Sequence, residues 1–274
     1  MGEPERTFRD FEHAGWEDAS VCAHYHQHLS AVTTQSAPAL LDAAGVGPGT
    51  RLLDVATGAG YVPAAAALLG AAAFGVDFSS SQLALGRQRY PAVRFACADA
   101  DATPFRAESF DAVTNGFGMC HLQDPVAALR EAFRILRRGG RVAFTVWDVP
   151  ERAIGLGAAY AAMRAHGSLD VGLPVGPNFF LFSDPEQSRR ALAEAGFASP
   201  SVAQVPQVWR LSEPDRVFEA LARGTVRTGA ALRAQSPAAR EAIKAALRDV
   251  VTPYRRGEYY DVPMPAVLAS AVKQ

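Results

Sequence analysis

From Thr50 onward, short β-rich runs alternate along the chain with segments of helical periodicity. This alternation is typical of α/β folds, in which helices cover a mostly parallel sheet. The predicted strands cover residues 51–56, 72–76, 93–98, 110–114 and 141–147. Helices are predicted for residues 61–69, 79–90 and 185–196. The longest predicted helix opens at Asp124 and Pro125, and the basic, glycine-rich segment 137–140 closes it.

Three stretches do not follow this alternation, and we interpret them as covers over one end of the sheet. They are the N-terminal segment, a segment rich in Gly, Pro and Phe, and a helical segment closer to the C-terminus. The sequence therefore predicts a single domain over residues 1–274, with an N-terminal cover at about 1–35, a core at about 38–148, and cover insertions at about 150–182 and 212–257.

Composition and charge exclude several classes of protein. The chain has 274 residues, 27 basic and 28 acidic side chains, and a formal net charge of -1. No global field favours nucleic acid, so we expect no nucleic-acid partner. The three cysteines (Cys22, Cys97 and Cys120) are too few and too scattered for a disulfide scaffold or a structural zinc site. The charged N-terminus and the lack of an apolar run of ~20 residues predict a cytoplasmic protein without a membrane span. The oligomeric state stays open.

The segment 54–60, Asp-Val-Ala-Thr-Gly-Ala-Gly, joins the first predicted strand to the helix after it. Ligands of open α/β sheets bind beyond the carboxyl ends of the strands. Asp77 ends the second strand 23 residues after Asp54, and Asp99 ends the third 22 residues later. These carboxylates suit the hydroxyls and the amine of a nucleoside, although each could instead cap a helix. Pro63 stands where a nicotinamide fingerprint requires glycine, and the loop has no basic group for a phosphate. Both features favour a methyl donor over a dinucleotide.

Four segments together resemble the motifs of class I S-adenosylmethionine-dependent methyltransferases. Residues 52–60 resemble motif I, 74–79 the ribose-binding strand end, 97–111 the adenine-binding segment with the fourth strand, and 136–142 the approach to the fifth strand. The resemblance spans about residues 40–147 and is closest to the small-molecule branch that includes the ubiquinone/menaquinone-biosynthesis enzymes. It implies a Rossmann-like fold with a seven-stranded, mostly parallel sheet and helices on both faces. It also implies one methyltransferase domain that uses S-adenosyl-L-methionine and releases S-adenosyl-L-homocysteine.

The resemblance also assigns roles to individual residues. The amino-acid end of the cofactor would be held by the first loop, at Asp54, Ala56, Thr57, Gly58 and Gly60. The nucleoside would be held by Asp77 at the ribose, Phe78 on the adenine face, and Asp99 with Ala100 at the adenine edge. Asn115 and Gly116, just past the fourth strand, would flank the methionine moiety. Ala56 is a departure, because many members of the family have glycine there.

His121 is the candidate general base. It lies seven residues after the predicted fourth strand, and histidine ordinarily titrates near neutral pH. Methyl transfer is a direct displacement from a sulfonium, so a base is needed only if the acceptor must lose a proton. In the alternative interpretation, His121 packs structurally or caps the helix that starts near Asp124.

The predicted substrate contacts come from the covers. Tyr25 and His28 would face inward from a helix, Phe179 would form an apolar wall, and Arg223 and Arg227 would share one helix face to clamp a carboxylate or phosphate. Surface exposure or core packing is the alternative for each of them. His24, His26 and His28 lack a further ligand placed by a motif, so no metal is expected.

The sequence favours an enzyme that methylates a small, partly apolar metabolite. One alternative keeps the fold and the cofactor for a reaction other than methyl transfer. Another is a macromolecular methyltransferase that acts on RNA or protein. The near-zero net charge counts against RNA, and the absence of an Asn-Pro-Pro-aromatic tetrad counts against amide or exocyclic amine acceptors.

Overall fold

The computed structural model describes residues 7–274. Its strands are β1 (Arg51–Val55), β2 (Ala72–Asp77), β3 (Arg94–Cys97), β4 (Phe110–Gly116), β5 (Leu136–Trp147), β6 (Ala198–Val205), β7 (Val208–Leu211), β8 (Arg255–Arg256), β9 (Tyr259–Pro263) and β10 (Ala266–Val272). Its helices are α1 (Phe8–Glu17), α2 (Ala19–His28), α3 (Ser30–Thr33), α4 (Ala37–Ala43), α5 (Tyr61–Leu68), α6 (Ser80–Arg89), α7 (Pro125–Ile135), α8 (Ile154–His166), α9 (Pro185–Glu194), α10 (Arg216–Gly224), α11 (Arg227–Arg233) and α12 (Pro237–Val251). Short 3-10 turns are formed by Thr34–Ser36, Met119–His121, Leu181–Ser183 and Thr252–Tyr254.

The chain forms two compact units, each assembled from three segments. The sheet unit comprises Thr33–Trp147, Pro177–Val205 and Ala266–Gln274. The helical unit comprises the described part of Met1–Val32 together with Asp148–Gly176 and Pro206–Pro265. The three predicted covers fall mostly within the helical unit. Whether both units form one domain over residues 1–274 stays a prediction.

Residues 177–182, the last part of the predicted cover at about 150–182, belong to the sheet unit. The hydroxyl of Ser183 donates to the carbonyl of Trp147 at 2.6 Å, and the Phe182 ring packs on the Phe144 ring at 5.6 Å between centroids. A hydrogen bond and an aromatic contact therefore hold this segment against β5.

The sheet unit contains seven strands in the order β3-β2-β1-β4-β5-β10-β6. Neighbouring strands from β3 to β5 are parallel, and β10 runs antiparallel to both β5 and β6. The strand order reverses at β1, which pairs with β2 on one side and β4 on the other. This mostly parallel, doubly covered sheet confirms the predicted fold class, and its switch point is where open α/β sheets place ligands.

Two apolar cores lie on the two faces of this sheet. On one face, α7 and α9 bury Leu129 and Leu192 against Phe144 of β5. On the other face, α4 and α5 bury Leu40 and Ala66. The connection after β1 therefore leads to one face and the connection after β4 leads to the other, which is the arrangement at which open α/β sheets bind ligands.

The end of α7 differs from the prediction. The helix ends at Ile135, and the segment 137–140 forms the first part of β5 instead of a helix end. Arg137 pairs with the carboxylate of Asp111 at 2.8 Å, and the segment exchanges backbone hydrogen bonds of 2.7 and 2.9 Å with Lys273. Pairing with distant parts of the chain thus overrides the local helix-ending pattern.

The helical unit packs α8 against α12 and α10 against α2, and it includes a three-stranded antiparallel sheet in the order β7-β9-β8. The contact between α2 and α10 is close, because a Cβ atom at Gly224 would lie 3.0 Å from the backbone nitrogen of Tyr25. The sequence indicated the helices within 212–257 but neither α8 nor this sheet. Among residues 7–274, no helix has both the length and the apolar content needed to cross a bilayer.

A substitution at Phe110 tests the packing of the core that α7 and α9 form with the sheet. Its ring is fully buried and contacts Phe105 at 4.9 Å and Phe74 at 5.5 Å between centroids. We expect Phe110→Ala to lower the free energy of unfolding by about 3–5 kcal/mol in urea denaturation, because it leaves a cavity. Leu68→Ala is the control, since Leu68 is 89% exposed and should change stability by less than about 0.5 kcal/mol. Equal effects of the two substitutions would contradict this description of the core.

Candidate functional site

The loop after β1 has an unusual backbone. Ala56, Gly58 and Gly60 have φ angles of 51°, 54° and 82°, which lie in the left-handed region. Glycine adopts this region readily, whereas alanine at position 56 is strained there. A Cβ atom at Gly60 would lie 2.5 Å from the Phe95 ring, so only glycine fits. The loop therefore turns tightly into α5, whose N-cap residue Gly60 provides no side chain.

Asp77 connects this loop with the end of β2. One carboxylate oxygen accepts the amide of Gly58 at 2.8 Å, and the other accepts the amide of Ser79 at 2.9 Å. The side chain is 8% exposed. Each carboxylate oxygen can accept more than one hydrogen bond, which is a property required of an acceptor for ligand hydroxyls.

Asp54 lies inside the sheet unit, 1% exposed, and accepts a hydrogen bond of 2.7 Å from the hydroxyl of Thr114. Burial raises the pKa of Asp54 to about 7; the bond from Thr114 opposes this rise, and the negative charge of Asp77 adds to it. The Asp54 carboxyl therefore changes its protonation state near neutral pH. Thr114, which the sequence analysis missed, had no signal beyond its position on β4.

The adenine-side candidates follow two adjacent strand ends. The parallel pairing of β2 and β3 sets Asp77 opposite Cys97, so Phe78 and Asp99 continue from neighbouring strands. Asp99 forms an isolated bridge with Ala102, and both Asp99 and Ala100 are half-buried. The structure thus brings the predicted ribose and adenine residues to one edge of the sheet.

Asn115 and Gly116 belong to β4 and do not follow it, which corrects the predicted strand end at 114. The amide of Asn115 donates to the carbonyl of Val55 at 2.9 Å, and its side-chain oxygen accepts the amide of Gly118 at 2.9 Å. A Cβ atom at Gly118 would lie 2.7 Å from the Cβ atom of Ala56. Asn115 therefore ties the end of β1 to the loop after β4.

Phe117, which sequence reasoning also missed, follows β4 with a φ angle of 60°. Its ring is buried and packs on the Trp147 ring at 4.3 Å between centroids. A phenylalanine in the left-handed region stores backbone strain, and such strain clusters at functional sites. The strained positions 56 and 117 stand at the carboxyl ends of two paired strands, β1 and β4.

His121 ends the 3-10 turn after β4 and is half-exposed. Its ring meets the edge of the Phe179 ring at 6.2 Å between centroids and an angle of 82°. The N-cap of α7 is Asp124, whose carboxylate accepts the amide of Ala127 at 2.9 Å. The structure therefore joins two of the predicted substrate-side residues, and Asp124 fills the capping role considered for His121.

The other predicted substrate residues lie in the helical unit. Tyr25 and His28 are on α2, where the Tyr25 ring contacts Trp16 at 5.5 Å between centroids. Burial lowers the pKa of His28, and the nearby His24 and Arg216 lower it further. His24 and His28 share a helix face, with stacked rings 6.2 Å apart. Within residues 7–274, no three potential metal ligands of the His, Cys, Asp or Glu type cluster together.

The prediction that Arg223 and Arg227 share one helix is wrong, because they lie on α10 and α11 respectively. Thr225 between them is extended, and its hydroxyl donates to the carbonyl of Leu221 at 2.7 Å and accepts the amide of Gly229 at 2.8 Å. This threonine therefore ends one helix and supports the start of the next. Arg227 lies over the Phe8 ring, 5.5 Å from its centroid.

The residues of the sheet unit fit a nucleoside-bearing ligand. Asp77 supplies a negative hydrogen-bond acceptor, and the glycine-rich loop allows close approach to the backbone. The N-terminus of α5 follows directly, and helix N-termini favour carboxylate groups. These features lie at the switch point of the sheet.

The order and directions of the seven strands are those of the class I methyltransferase fold. Residues 53–144 match the family described as Methyltransferase domain, and they contain both β1 and the strand ends described above. The segment therefore belongs to that family, and the resemblance found in the sequence is confirmed.

Two curated relatives are similar to about two fifths of this chain. The demethylmenaquinone methyltransferase of Beutenbergia cavernae is 41% identical over 112 residues, which cover 41% of this chain and 47% of the relative. The corresponding enzyme of Renibacterium salmoninarum is 39% identical over 111 residues, covering 40% of this chain and 47% of the relative. The chain spans about half the length of the curated relatives that it matches.

Solved structures share the fold at low sequence identity. Phosphoethanolamine N-methyltransferase 2 of Haemonchus contortus, bound to S-adenosylhomocysteine, has a TM-score of 0.59 at 20% identity and covers 97% of this chain and 60% of that chain. The YcgJ protein of Bacillus subtilis has a TM-score of 0.56 at 19% identity and covers 87% of this chain and 98% of that chain. These similarities establish the fold.

The raised pKa of Asp54 gives a pH dependence of stability. Between the ordinary carboxyl pKa of 3.8 and about 7, the folded state binds a proton that the unfolded state has lost. We therefore expect this group to reduce the free energy of unfolding as pH rises from about 4 to about 7, by on the order of 4 kcal/mol. Asp54→Asn should remove this contribution.

Urea denaturation of both proteins across this pH range measures the effect, because the other titrating groups contribute equally to each. Asparagine keeps a similar volume and an acceptor for Thr114. Parallel pH profiles for wild type and variant would show that Asp54 does not carry a proton in the folded state.

Proposed function

We propose that this protein is an S-adenosylmethionine-dependent methyltransferase that acts on a small, partly apolar metabolite. The observation that carries the proposal is Asp77, which binds Gly58 and Ser79 at two adjacent strand ends within the segment that matches the Methyltransferase domain. S-adenosylmethionine supplies a methyl group that is already activated on a sulfonium. The chain then has to align the acceptor with this methyl group and exclude water.

The cofactor would lie along the strand ends of the sheet unit. Its amino-acid end would meet Asp54 and the loop Ala56, Thr57, Gly58 and Gly60, with Asn115 and Gly116 beside the methionine moiety. Asp77 would accept the ribose hydroxyls, Phe78 would pack on the adenine, and Asp99 with Ala100 would bind its edge. The hydrogen bonds that link β1, β2 and β4 support this order, since they hold the three regions together.

For a hydroxyl acceptor, His121 would take the proton, and Phe179 would provide an apolar wall beside it. The contact between the two rings and the location of His121 after β4, on the ligand side of the sheet, support this assignment. An amine or carbon nucleophile would not need this step. Tyr25, His28, Arg223 and Arg227 are proposed as substrate contacts from the helical unit, now without a shared helix for the two arginines.

The acceptor is proposed only by class. The curated relatives are named demethylmenaquinone methyltransferases. However, their alignments with this chain span only 112 and 111 residues. The whole of the helical unit lies outside the matched segment 53–144. A cytoplasmic location and the absence of a nucleic-acid partner also stay predictions from the sequence.

Asp77→Asn tests the cofactor assignment. We expect wild type to bind S-adenosylhomocysteine in calorimetry and the variant to bind it about tenfold more weakly or worse, because a charged acceptor for the ribose is lost. Asp249→Asn is the matched control, since Asp249 is exposed on α12 and lies outside the matched segment 53–144. No binding by folded wild type would refute the proposed function, and unchanged affinity in folded Asp77→Asn would refute the ribose role.

His121→Ala tests the chemistry. The acceptor is first identified by transfer of labelled methyl from S-adenosylmethionine to metabolite extracts, and absence of any labelled product would count against methyl transfer. With a hydroxyl acceptor, we expect turnover to fall by about 10²-fold while S-adenosylhomocysteine affinity stays unchanged, since the base acts in the transition state. His166→Ala, at an exposed position of the helical unit, should change neither quantity. Retained turnover in His121→Ala would show that another group, or none, removes the proton.

A further inference from the structure

A carboxylate on the buried face of α7 holds the chain just beyond the adenine candidates. Glu131 is 9% exposed and lies among the buried residues Ala128, Ala132 and Ile135 of this helix. One of its oxygens accepts both the amide of Thr103 at 2.9 Å and the hydroxyl of Thr103 at 2.5 Å. The amide and the side chain of one loop residue are thus fixed by a single carboxylate oxygen.

Arg134 completes the attachment from the next turn of α7. Its guanidinium donates to both oxygens of Glu131, with two bonds of 2.7 Å, and to the carbonyl of Phe105 at 2.7 Å. The Phe105 ring packs against Phe110 at 4.9 Å between centroids. The segment 103–105 is therefore attached to α7 at two points of its backbone, and the Phe105 ring holds it against β4.

The adenine segment, residues 98–103, is held at one end by the sheet and at the other end by α7. At its start, the amide of Ala98 donates to the carbonyl of Asp77 at 3.1 Å. At its end stands Thr103, and between them the bridge from Asp99 to Ala102 closes a tight turn. Only three residues lie between Asp99 and Thr103, so a displacement of Thr103 reaches the turn directly.

The partners of Glu131 stabilise its negatively charged form. Burial favours its neutral form, but the hydrogen bonds from Arg134 and Thr103 outweigh burial and lower the pKa of Glu131. A buried carboxylate is costly without such partners, and an apolar residue would fill the same face of α7 without that cost. The carboxylate is explained by what it binds, which is the backbone and hydroxyl of Thr103.

We propose that Glu131 is a positioning residue for the adenine end of the cofactor, acting through Thr103 on the turn that contains Asp99 and Ala100. This inference rests on the proposed function. Glu131 does not touch the cofactor itself. By fixing Thr103, it keeps the Asp99 carboxylate and the Ala100 backbone in the geometry in which they meet the adenine edge.

The test compares four single variants, and the double variant Thr103→Val/Glu131→Gln, with wild type by calorimetry with S-adenosylhomocysteine. Thr103→Val removes the hydroxyl, Thr103→Ser retains it, Glu131→Gln removes the charge, and Arg130→Gln is the control. Arg130 lies on the same helix, exposed, and its ion pair with Glu194 at 2.8 Å does not involve the adenine segment. Thermal melting establishes that each variant is folded.

We expect Thr103→Val and Glu131→Gln to weaken binding by about three- to tenfold, and the double variant to lose less than the product of the two. Thr103→Ser should restore the affinity of wild type, and Arg130→Gln should keep it. If Glu131→Gln does not fold, the comparison of Thr103→Val with Thr103→Ser tests the inference. Unchanged affinity in Thr103→Val, or a loss in Thr103→Ser equal to that in Thr103→Val, would overturn the inference while the proposed function stands. Absence of binding by wild type would overturn both.

Discussion

The carboxylate of Asp77 is the interaction on which the candidate site depends. It accepts one amide from the loop after β1 and one from the start of the loop after β2. Bonds from amides to a carboxylate are stronger than those between neutral groups. They therefore fix a loop in which Ala56, Gly58 and Gly60 all have left-handed backbone angles. The parallel pairing of β1 with β2 brings the carboxylate and the loop to the same edge of the sheet.

Buried polar groups extend this arrangement to β4. The hydroxyl of Thr114 on β4 donates a hydrogen bond to Asp54 on the neighbouring strand β1. The side chain of Asn115 links the carbonyl of Val55 to the amide of Gly118. Each of these groups would be costly inside the sheet unit without its partner. Together with Asp77 they make the ends of β1, β2 and β4 one connected polar structure. A ligand that spans these ends meets groups whose positions are already set, which reduces the entropy lost on binding.

The residues proposed to bind the cofactor and most of those proposed to bind the substrate lie in different parts of the chain. The segment that matches the Methyltransferase domain, residues 53–144, contains the candidate cofactor residues and also Glu131, which holds the adenine segment. Tyr25, His28, Arg223 and Arg227 lie outside it, in the helical unit. A common methyl donor needs a constant binding geometry, whereas acceptors differ between enzymes. Substrate specificity would therefore be determined by segments outside residues 53–144.

The sequence by itself determined the strands β1 to β4, the helix after each of the first two, and the placement of Asp54, Asp77 and Asp99 at strand ends. These features follow from local periodicity, turn residues and caps, which are properties of neighbouring residues. Only the tertiary structure decided the outcome elsewhere. The glycine-rich segment 137–140 reads locally as a helix end, but it becomes strand through Arg137 with Asp111 and the backbone of Lys273. The partners of Asp54, Asn115 and Glu131 were equally hidden, because they stand 60, 60 and 28 residues away in the chain. A sequence pattern records spacing along the chain, whereas a buried polar group is stabilised by whichever partner the packed sheet brings within hydrogen-bonding distance.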